Sequence, residues 1–136
     1  MENAKQIIVA RRNLMSPGKL AAQVSHGSIS FLTKYARFIS DDECENYVEC
    51  GMFSNEFVKE ICCWLKNSFT KIILGVNSEE ELDEVCNKAR AAGLEVHLII
   101  DNGRTEFNNV STKTCVAIGP HYEEKFIGIT DHLKLY

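Results

Sequence analysis

The chain has 136 residues, of which 45% are apolar and 25% charged, as expected of one globular domain that can bury a core without disulfide or metal support. This composition excludes a membrane-spanning protein, because no apolar run approaches the roughly 18 residues of a membrane span. The net charge of −4 argues against a general nucleic-acid coat protein, which needs Lys and Arg to neutralise phosphates.

The N-terminus predicts a soluble, cytoplasmic protein. Residues 1–5 lead directly into a strand-like run and lack the basic start, apolar stretch and cleavage site of an export signal. The 6 cysteines show neither a CxxC pair nor the spacing of zinc ligands, and several fall where the periodicity predicts core. We therefore expect reduced and mostly structural thiols.

Charge is distributed unevenly along the chain. Residues 38–60 and 76–101 hold most of the acids, whereas residues 1–37 contain only one acid, Glu2. The basic residues of this first part are Lys5, Arg11, Arg12, Lys19, Lys34 and Arg37. The distribution predicts a local basic face beside the first helix, and Arg12 is a candidate substrate-binding residue on it.

The first predicted elements are a buried strand and a long helix. Residues 6–10 form a short apolar run, typical of a strand that is covered on both faces. Ser16 suits the N-cap and Pro17 the first position of a helix that extends to about residue 37. Its predicted apolar stripe consists of Leu20, Val24, Phe31, Leu32 and Tyr35, and a separate face carries Lys19, Gln23, His26 and Ser30.

The middle of the chain is less regular. The acidic segment 40–53, which contains Gly51, predicts a short helix or a loop. Ser54 can cap a second helix that ends near Asn67. The buried face predicted for this helix consists of Phe57, Val58, Ile61, Cys62 and Leu65, with Trp64 at its border.

The second half of the chain alternates between strand and helix. Further strands are predicted at residues 71–76, 94–100 and 114–118. Between the first two, Ser78 and Glu81 fit a capping box, and Gly93 terminates the helix that follows. A polar loop of about thirteen residues joins the last two strands, and such length is typical of a functional loop. The alternation predicts one layered α/β domain.

The start of the long helix is the first candidate site. Ligands of α/β sheets bind beyond the carboxyl ends of parallel strands, where helices also begin, and the turn 16–19 lies there. Unpaired N–H groups, close backbone approach at Gly18 and the charge of Lys19 favour a phosphate or an oxyanion. His26, further along the face of Gln23, is an acid/base candidate. The alternatives on pattern alone are a solvated lysine and a structural histidine.

The predicted loop after the third strand is the second candidate site. Asp101 ends that strand and projects at the same sheet edge as Lys19 if the strands are parallel. The alternative is an Asp-Asn-Gly turn with a solvated carboxylate. A loop that begins at this edge and returns into residues 114–118 makes the fourth strand antiparallel to the third, so we expect a mixed sheet.

Three segments resemble motifs of the type II peptidyl-tRNA hydrolases, the archaeal and eukaryotic kind. Residues 16–27, SPGKLAAQVSHG, are similar to the family's GKxAAQxSHA stretch, and residues 101–105, DNGRT, are similar to DAGRT. The resemblance continues through residues 112–120 and ends with DHLKLY at 131–136, similar to GHLKLY. It covers almost the whole chain and implies a single domain over 1–136 with a four-stranded mixed sheet flanked by helices, its fourth strand antiparallel.

The resemblance also implies an activity, namely hydrolysis of the ester of peptidyl-tRNA to free tRNA and peptide. The catalytic positions that it implies are Lys19, Asp101, Thr105 and Thr114. The residues expected to bind substrate are Gly18, Gln23, His26 and Arg104, together with Arg12 from the basic stretch. Peptidyl-tRNA is the expected partner, a membrane is not, and a homodimer is left open.

The implied mechanism uses water as the nucleophile and needs no metal or cofactor. Asp101 orients Lys19 or a water molecule, while Lys19, the helix N-terminus and a Thr hydroxyl stabilise the tetrahedral oxyanion. The sequence departs from the family at Glu106, where Gln is usual, and at residues 107–111, which replace an I-A-P-G pattern with one extra residue. We also expect the acidic stretch near 40–53 to be an insertion relative to typical members of the family.

Two other functions fit the same residues. One is a noncatalytic protein that binds tRNA acceptor ends or regulates through RNA on the same scaffold, which the altered loop and the net charge favour. The other is a hydrolase of a different ester or amide that uses the same lysine and aspartate. The presence of Lys19, Asp101 and Thr105 favours the peptidyl-tRNA hydrolase.

Overall fold

The computed structural model describes residues 2–40, 46–49, 51 and 53–136. Within these residues the α-helices are Pro17–Thr33 (α1), Asn55–Lys66 (α2) and Glu79–Ala91 (α3). Their β-strands are Ala4–Arg11 (β1), Arg37–Ser40 (β2), Asn46–Glu49 (β3), Lys71–Val76 (β4), Val96–Asp101 (β5), Thr112–Tyr122 (β6) and Lys134–Leu135 (β7). None of the described helices is long and apolar enough to cross a membrane.

The main sheet is mixed, and its strand order is β5-β6-β1-β4-β7. Strands β1 and β4 are parallel, whereas β6 is antiparallel to both β1 and β5. Strand β5 therefore has the same direction as β1, and the carboxyl ends of β1, β4 and β5 meet at one edge, which we call the site edge. The α/β class, the mixed sheet and the antiparallel pairing of the predicted third and fourth strands are confirmed.

The prediction of four strands was wrong by one, because β7 adds a fifth strand to the sheet. Strand β7 pairs antiparallel with β4 through Leu74 and Gly75. It has two residues, Lys134 and Leu135, and both are exposed. Two exposed residues give no hydrophobic periodicity, so the pattern contains no signal for this strand.

Strand β1 lies near the centre of the sheet because both of its faces are apolar. Ile7 and Val9 contribute to a core cluster with residues of α3, and Ile8 and Ala10 contribute to a cluster against α1. Adjacent residues of a strand point to opposite faces, so one run of apolar residues serves both clusters. Helix α3 covers one face of the sheet and α1 covers the other.

Helix α1 begins as predicted and ends earlier. The Ser16 side chain accepts a hydrogen bond from the Lys19 N–H and caps the helix. The helix ends at Thr33 rather than near residue 37, because Arg37 begins a hairpin in which β2 pairs antiparallel with β3. The prediction of a helix or loop over residues 40–53 was wrong for β3, and both strands are too short for a clear period. Residues 41–45, 50 and 52 of the predicted insertion lie outside the described residues.

The face of α1 that packs on the sheet is more polar than the sequence predicted. Gln23 and Ser30 are buried there, whereas Tyr35 of the predicted apolar stripe is 42% exposed. Gly27 allows a close approach of the helix to the sheet, since a Cβ at this position would lie 3.3 Å from the Ala117 Cβ. Phe31 of the predicted stripe is buried, and Leu20, Val24 and Leu32 are half-buried.

The predicted buried face of α2 was right for Phe57 and wrong for Val58, Cys62 and Leu65, which are exposed. Phe57, Glu60 and Trp64 are the buried residues, whereas Val58 is 42% and Leu65 is 57% exposed. A charged residue therefore occupies the buried stripe, and apolar residues lie on the exposed side. The apolar periodicity gave the wrong face because it follows apolar residues alone, whereas a buried position of this helix is occupied by the charged Glu60.

The carboxylate of the buried Glu60 accepts hydrogen bonds from three donors at the end of β6 and just after it. Its carboxylate accepts hydrogen bonds from His121 Nδ1 at 2.9 Å, from the Tyr122 N–H at 2.8 Å and from Lys125 Nζ at 2.7 Å. The other ring nitrogen of His121 accepts from the Glu95 N–H at 2.9 Å. His121 is therefore a neutral imidazole with its proton on Nδ1, and burial lowers its pKa despite the Glu60 carboxylate.

The thiols in the described part of the chain are free. Cys86 and Cys115 are buried, and burial raises the pKa of Cys115 to about 12. Cys62 is exposed, although it belongs to the face of α2 that was predicted to be buried. Cys44 and Cys50 lie outside the described residues.

Replacing Glu60 by Ala should lower the free energy of unfolding by about 3 kcal/mol, because it leaves His121 and Lys125 without their buried anionic partner. Urea denaturation measures the change. Glu56→Ala is the matched control, since Glu56 is an exposed residue that bonds the same Lys125 at 2.8 Å and should matter little. Equal effects of the two substitutions would contradict the role of burial.

Stability should decrease as the pH falls from about 7.5 to about 5.5. The pKa of His121 in the folded chain is lowered chiefly by burial, as is that of His97, so the unfolded chain takes up protons first, near its ordinary pKa of about 6.5. Urea midpoints at the two pH values test this. His121→Gln should show a smaller decrease, and an equal or higher midpoint of the wild type at the lower pH is the contrary result.

Candidate active site

An ion pair between α1 and β5 forms the centre of the candidate site. Lys19 lies in the first turn of α1, and Asp101 is the last residue of β5. The Lys19 Nζ lies 2.8 Å from Asp101 Oδ1, and the two side chains are only 13% and 10% exposed. The pair forms because β1 and β5 point the same way, so the helix that follows β1 begins at the edge where β5 ends.

The loop between β5 and β6, residues 102–111, supplies the other contacts of Lys19. Its ammonium donates to Thr105 Oγ1 at 2.8 Å and lies 5.8 Å from the centre of the Phe107 ring. Among the described residues, two of the three ammonium protons thus have side-chain acceptors. The third proton can serve an oxygen of a ligand at the site edge.

Asp101 is held as a carboxylate by several donors. Its Oδ1 accepts from Lys19 and, at 3.2 Å, from Gln23 Nε2, and its Oδ2 accepts from the Gly103 N–H at 2.8 Å. The hydrogen bond from Lys19 is the main cause that lowers the pKa of Asp101, and it outweighs partial burial. A carboxylate with a lowered pKa is a weak base, so its arrangement suits orientation of Lys19 better than proton abstraction.

Gln23 and Thr114 support the ion pair from inside the protein. Both are buried, and the Thr114 hydroxyl lies 2.9 Å from Gln23 Oε1 and 3.2 Å from the Ile99 carbonyl. A donor at Oε1 fixes the Gln23 amide with its NH₂ group toward Asp101. Thr114 therefore contacts the pair only through Gln23, whereas Thr105 contacts Lys19 directly.

The other predicted site residues are distributed around this centre. Gly18 is exposed, and a Cβ there would meet no atom within 4 Å, so the space above the first helical turn is open to a ligand. His26 and Arg104 are exposed as well. The Arg104 N–H donates to Asn102 Oδ1 at 3.1 Å, which shapes the loop and leaves the side chain at the surface.

Arg12 lies away from the ion pair and contacts the last strand. Its Nη2 donates to the Leu135 carbonyl at 2.6 Å and to the Lys134 carbonyl at 3.3 Å, and its guanidinium lies 5.8 Å from the centre of the Tyr136 ring. These contacts hold β7 on the sheet. The predicted role of Arg12 in substrate binding stays a prediction.

Glu106 lies at the site, although it was not among the predicted site residues. Its carboxylate accepts hydrogen bonds from the Ser16 hydroxyl and from the Ser16 N–H, the latter at 3.2 Å. An acidic residue is favourable at a helix N-terminus, but a residue 90 positions away gives no signal in a local capping pattern. In the described part of the chain, no group of three His, Cys, Asp or Glu side chains is placed to hold a metal ion.

Sequence comparison with known proteins identifies the family of the chain. The family model described as Peptidyl-tRNA hydrolase PTH2 matches residues 4–136. The chain belongs to this family. A protein of Nanoarchaeum equitans named peptidyl-tRNA hydrolase is 36% identical over 132 residues, which cover 97% of this chain and 98% of that protein.

Two further relatives are similar to this chain over almost its whole length. A peptidyl-tRNA hydrolase of Methanocaldococcus jannaschii is 36% identical over 132 residues, covering 96% of this chain and 98% of the relative. A probable peptidyl-tRNA hydrolase 2 of Dictyostelium discoideum is 32% identical over 135 residues, covering 98% of this chain and 55% of the relative. The resemblance inferred from the sequence motifs is confirmed.

Replacing Thr114 by Val in this peptidyl-tRNA hydrolase family member should lower the free energy of unfolding by about 1–3 kcal/mol, because the buried Gln23 Oε1 loses its donor while the shape is kept. Urea denaturation measures the loss. Thr112→Val, which removes a hydroxyl bonded at an exposed position to the Val110 carbonyl, is the control and should cost less. A smaller cost at Thr114 than at Thr112 would argue against the buried support.

Proposed function

We propose that the chain hydrolyses the ester bond of peptidyl-tRNA and releases free tRNA and peptide. Membership of the peptidyl-tRNA hydrolase family over residues 4–136 supports this function. The observation that carries it is the Lys19 ammonium, which contacts Asp101 and Thr105 at 2.8 Å each, beside the N-terminus of α1. This arrangement holds a cationic hydrogen-bond donor at the site edge, the kind of group that stabilises an ester oxyanion.

In the proposed reaction, water attacks the acyl carbon of the ester and a tetrahedral oxyanion forms. The third proton of Lys19 and the N–H of Gly18, in the first turn of α1, stabilise that oxyanion. Collapse of the intermediate expels the ribose oxygen, so the water supplies a hydroxyl to the acyl carbon and a proton to the departing oxygen. Asp101 holds Lys19 in place throughout, and Gln23 holds Asp101.

The remaining site residues fit roles in substrate binding and positioning. Gly18 has open space above it, and the exposed Arg104 can approach a phosphate of the acceptor end. Thr105 can share the Lys19 ammonium with the substrate, whereas the buried Thr114 acts through Gln23. His26 and Arg12 are proposed as outer contacts of the tRNA, since both belong to the basic first part of the chain.

We further propose a cytoplasmic protein that functions as one domain over residues 1–136, with peptidyl-tRNA as its partner. Translation takes place in the cytoplasm, and the substrate is a product of translation. A homodimer stays a prediction, which sedimentation velocity tests. The role of the acidic stretch near 40–53 stays open to deletion analysis.

Replacing Lys19 by Ala should reduce the release of tRNA from N-blocked aminoacyl-tRNA by about 10²–10³-fold, the usual effect of removing an oxyanion-stabilising group. Asp101→Asn should also reduce it, because the neutral amide does not hold the ammonium as the carboxylate does. Purified proteins are compared by the rate at which free tRNA appears. Lys59→Ala, which removes an exposed lysine of α2, is the matched control and should keep the wild-type rate.

The same assay separates the alternative functions. A noncatalytic protein binds the acceptor end without releasing tRNA, and Lys19→Ala then changes binding alone. A hydrolase of another ester leaves peptidyl-tRNA intact and cleaves small acyl esters. Wild-type turnover in Lys19→Ala would refute the assigned role of this residue.

A further inference from the structure

The loop of residues 102–111 has a defined internal structure. Within it, the Asn109 N–H donates to the Gly103 carbonyl at 2.9 Å, and the Val110 N–H donates to the Phe107 carbonyl at 2.9 Å. Gly103 has a φ of 80°, and a Cβ at this position would overlap the Val110 carbonyl oxygen, so no larger residue fits. The two halves of the loop are therefore packed against each other, so a contact made by one of its residues helps to position the others.

Glu106 joins this loop to the N-terminus of α1. Its carboxylate accepts from both donors of the N-cap residue, the Ser16 hydroxyl and the Ser16 N–H. The Ser16 oxygen in turn accepts from the Lys19 N–H at 3.4 Å, so the same hydroxyl caps the helix and contacts the loop. We call this set of contacts between Glu106 and Ser16 the loop clamp.

The clamp lies next to the chemical centre in sequence and in space. Thr105, the residue before Glu106, accepts from Lys19 Nζ at 2.8 Å, and Phe107, the residue after it, places its ring 5.8 Å from the same nitrogen. Thr105 is exposed, so water can replace its hydroxyl at Lys19 when the loop moves away. The position of both neighbours of Glu106 depends on where Glu106 is held.

We propose that Glu106 is a positioning residue for the reaction, holding the loop through Ser16 so that Thr105 and Phe107 stay against Lys19. This inference rests on the proposed function, and it assigns to Glu106 a role in turnover rather than in binding substrate directly. The clamp fixes the direction in which the Lys19 ammonium points its remaining proton. Loss of the clamp therefore lowers the rate of the chemical step more than it weakens substrate binding.

Two other roles of the same contacts make different predictions. If Glu106 only caps α1, its removal lowers stability and leaves turnover of the folded enzyme unchanged. If its carboxylate instead blocks the helix N-terminus against an anionic substrate, its removal raises the rate. A positioning role alone predicts a lower kcat with little change in KM.

The first test compares Glu106→Ala with Glu106→Gln in the tRNA-release assay. We expect kcat to fall about tenfold in Glu106→Ala, with KM changed less, because a charge-assisted hydrogen bond is lost. Glu106→Gln keeps an acceptor oxygen for Ser16 and should recover most of the rate. Glu56→Ala removes an exposed carboxylate near the other end of β6 and serves as the matched control, with the wild-type kcat.

The second test is a double-mutant cycle between Glu106 and Ser16. Ser16→Ala removes the hydroxyl but keeps the Ser16 N–H, so it should reduce kcat by no more than Glu106→Ala does. Because the two residues act through one set of contacts, the double variant should reduce kcat about as much as Glu106→Ala alone. Ser54→Ala removes the N-cap of α2, whose hydroxyl accepts from the Phe57 N–H, and controls for loss of a cap. A double variant whose fold-reduction in kcat equals the product of the two single reductions would overturn the proposal.

Hydrogen exchange separates this inference from the proposed function. In Glu106→Ala the Ser16 amide and the loop amides of Asn109 and Val110 should exchange faster than in the wild type, with the urea midpoint little changed. Turnover that is equal or higher in Glu106→Ala, or unchanged exchange, would overturn the role of Glu106. Absence of tRNA release by the wild type would refute the proposed function, while the exchange result still decides whether the clamp holds the loop.

Discussion

The ion pair between Lys19 and Asp101 is the interaction on which the rest of the site depends. It joins the start of α1 to the end of β5, two elements separated by 82 positions in the chain. The pair is possible because β6 runs antiparallel to both β1 and β5, which gives those two strands the same direction. One choice of strand direction therefore places a cation, a carboxylate and a helix N-terminus at one edge.

Two layers of polar contacts keep this pair in a single arrangement. Behind it, the buried Gln23 and Thr114 use a hydrogen bond at 2.9 Å to fix the amide that faces Asp101. In front of it, the loop of residues 102–111 contacts Lys19 through Thr105 and contacts Ser16 through Glu106. Because an unpaired polar group in the interior costs stability, the polar face of α1 is explained by the site that it serves.

The sequence contains enough information for the central elements and for the main pair. The run from Ile7 to Ala10 predicts a strand covered on both faces, and the edge rule for parallel strands brings Asp101 to Lys19. Both inferences use local patterns and one rule of topology. Thr105 and Gln23 follow from the family resemblance at the same positions.

Features that depend on long-range pairing were not accessible in this way. The buried face of α2 was misassigned because the carboxylate of Glu60 finds its donors in β6 and beyond, at His121 and Lys125. The strand β7 and the hairpin of β2 and β3 are too short to show a period. Glu106 belongs to the same group, since its partner Ser16 lies at the other end of the site in sequence.

Gly27 sets the spacing between α1 and the sheet, two turns after Lys19. Its missing side chain allows the helix axis to lie close above Ala117, Cys115 and Ile8, all within 3.7 Å of where a Cβ would be. A methyl group added at Gly27 would push α1 away from the sheet and tilt it. This tilt would move the Lys19 ammonium relative to the carboxylate of Asp101. The distance between the helix and the sheet at a buried residue that does not contact the substrate thus helps to set the geometry of the reacting groups at the surface.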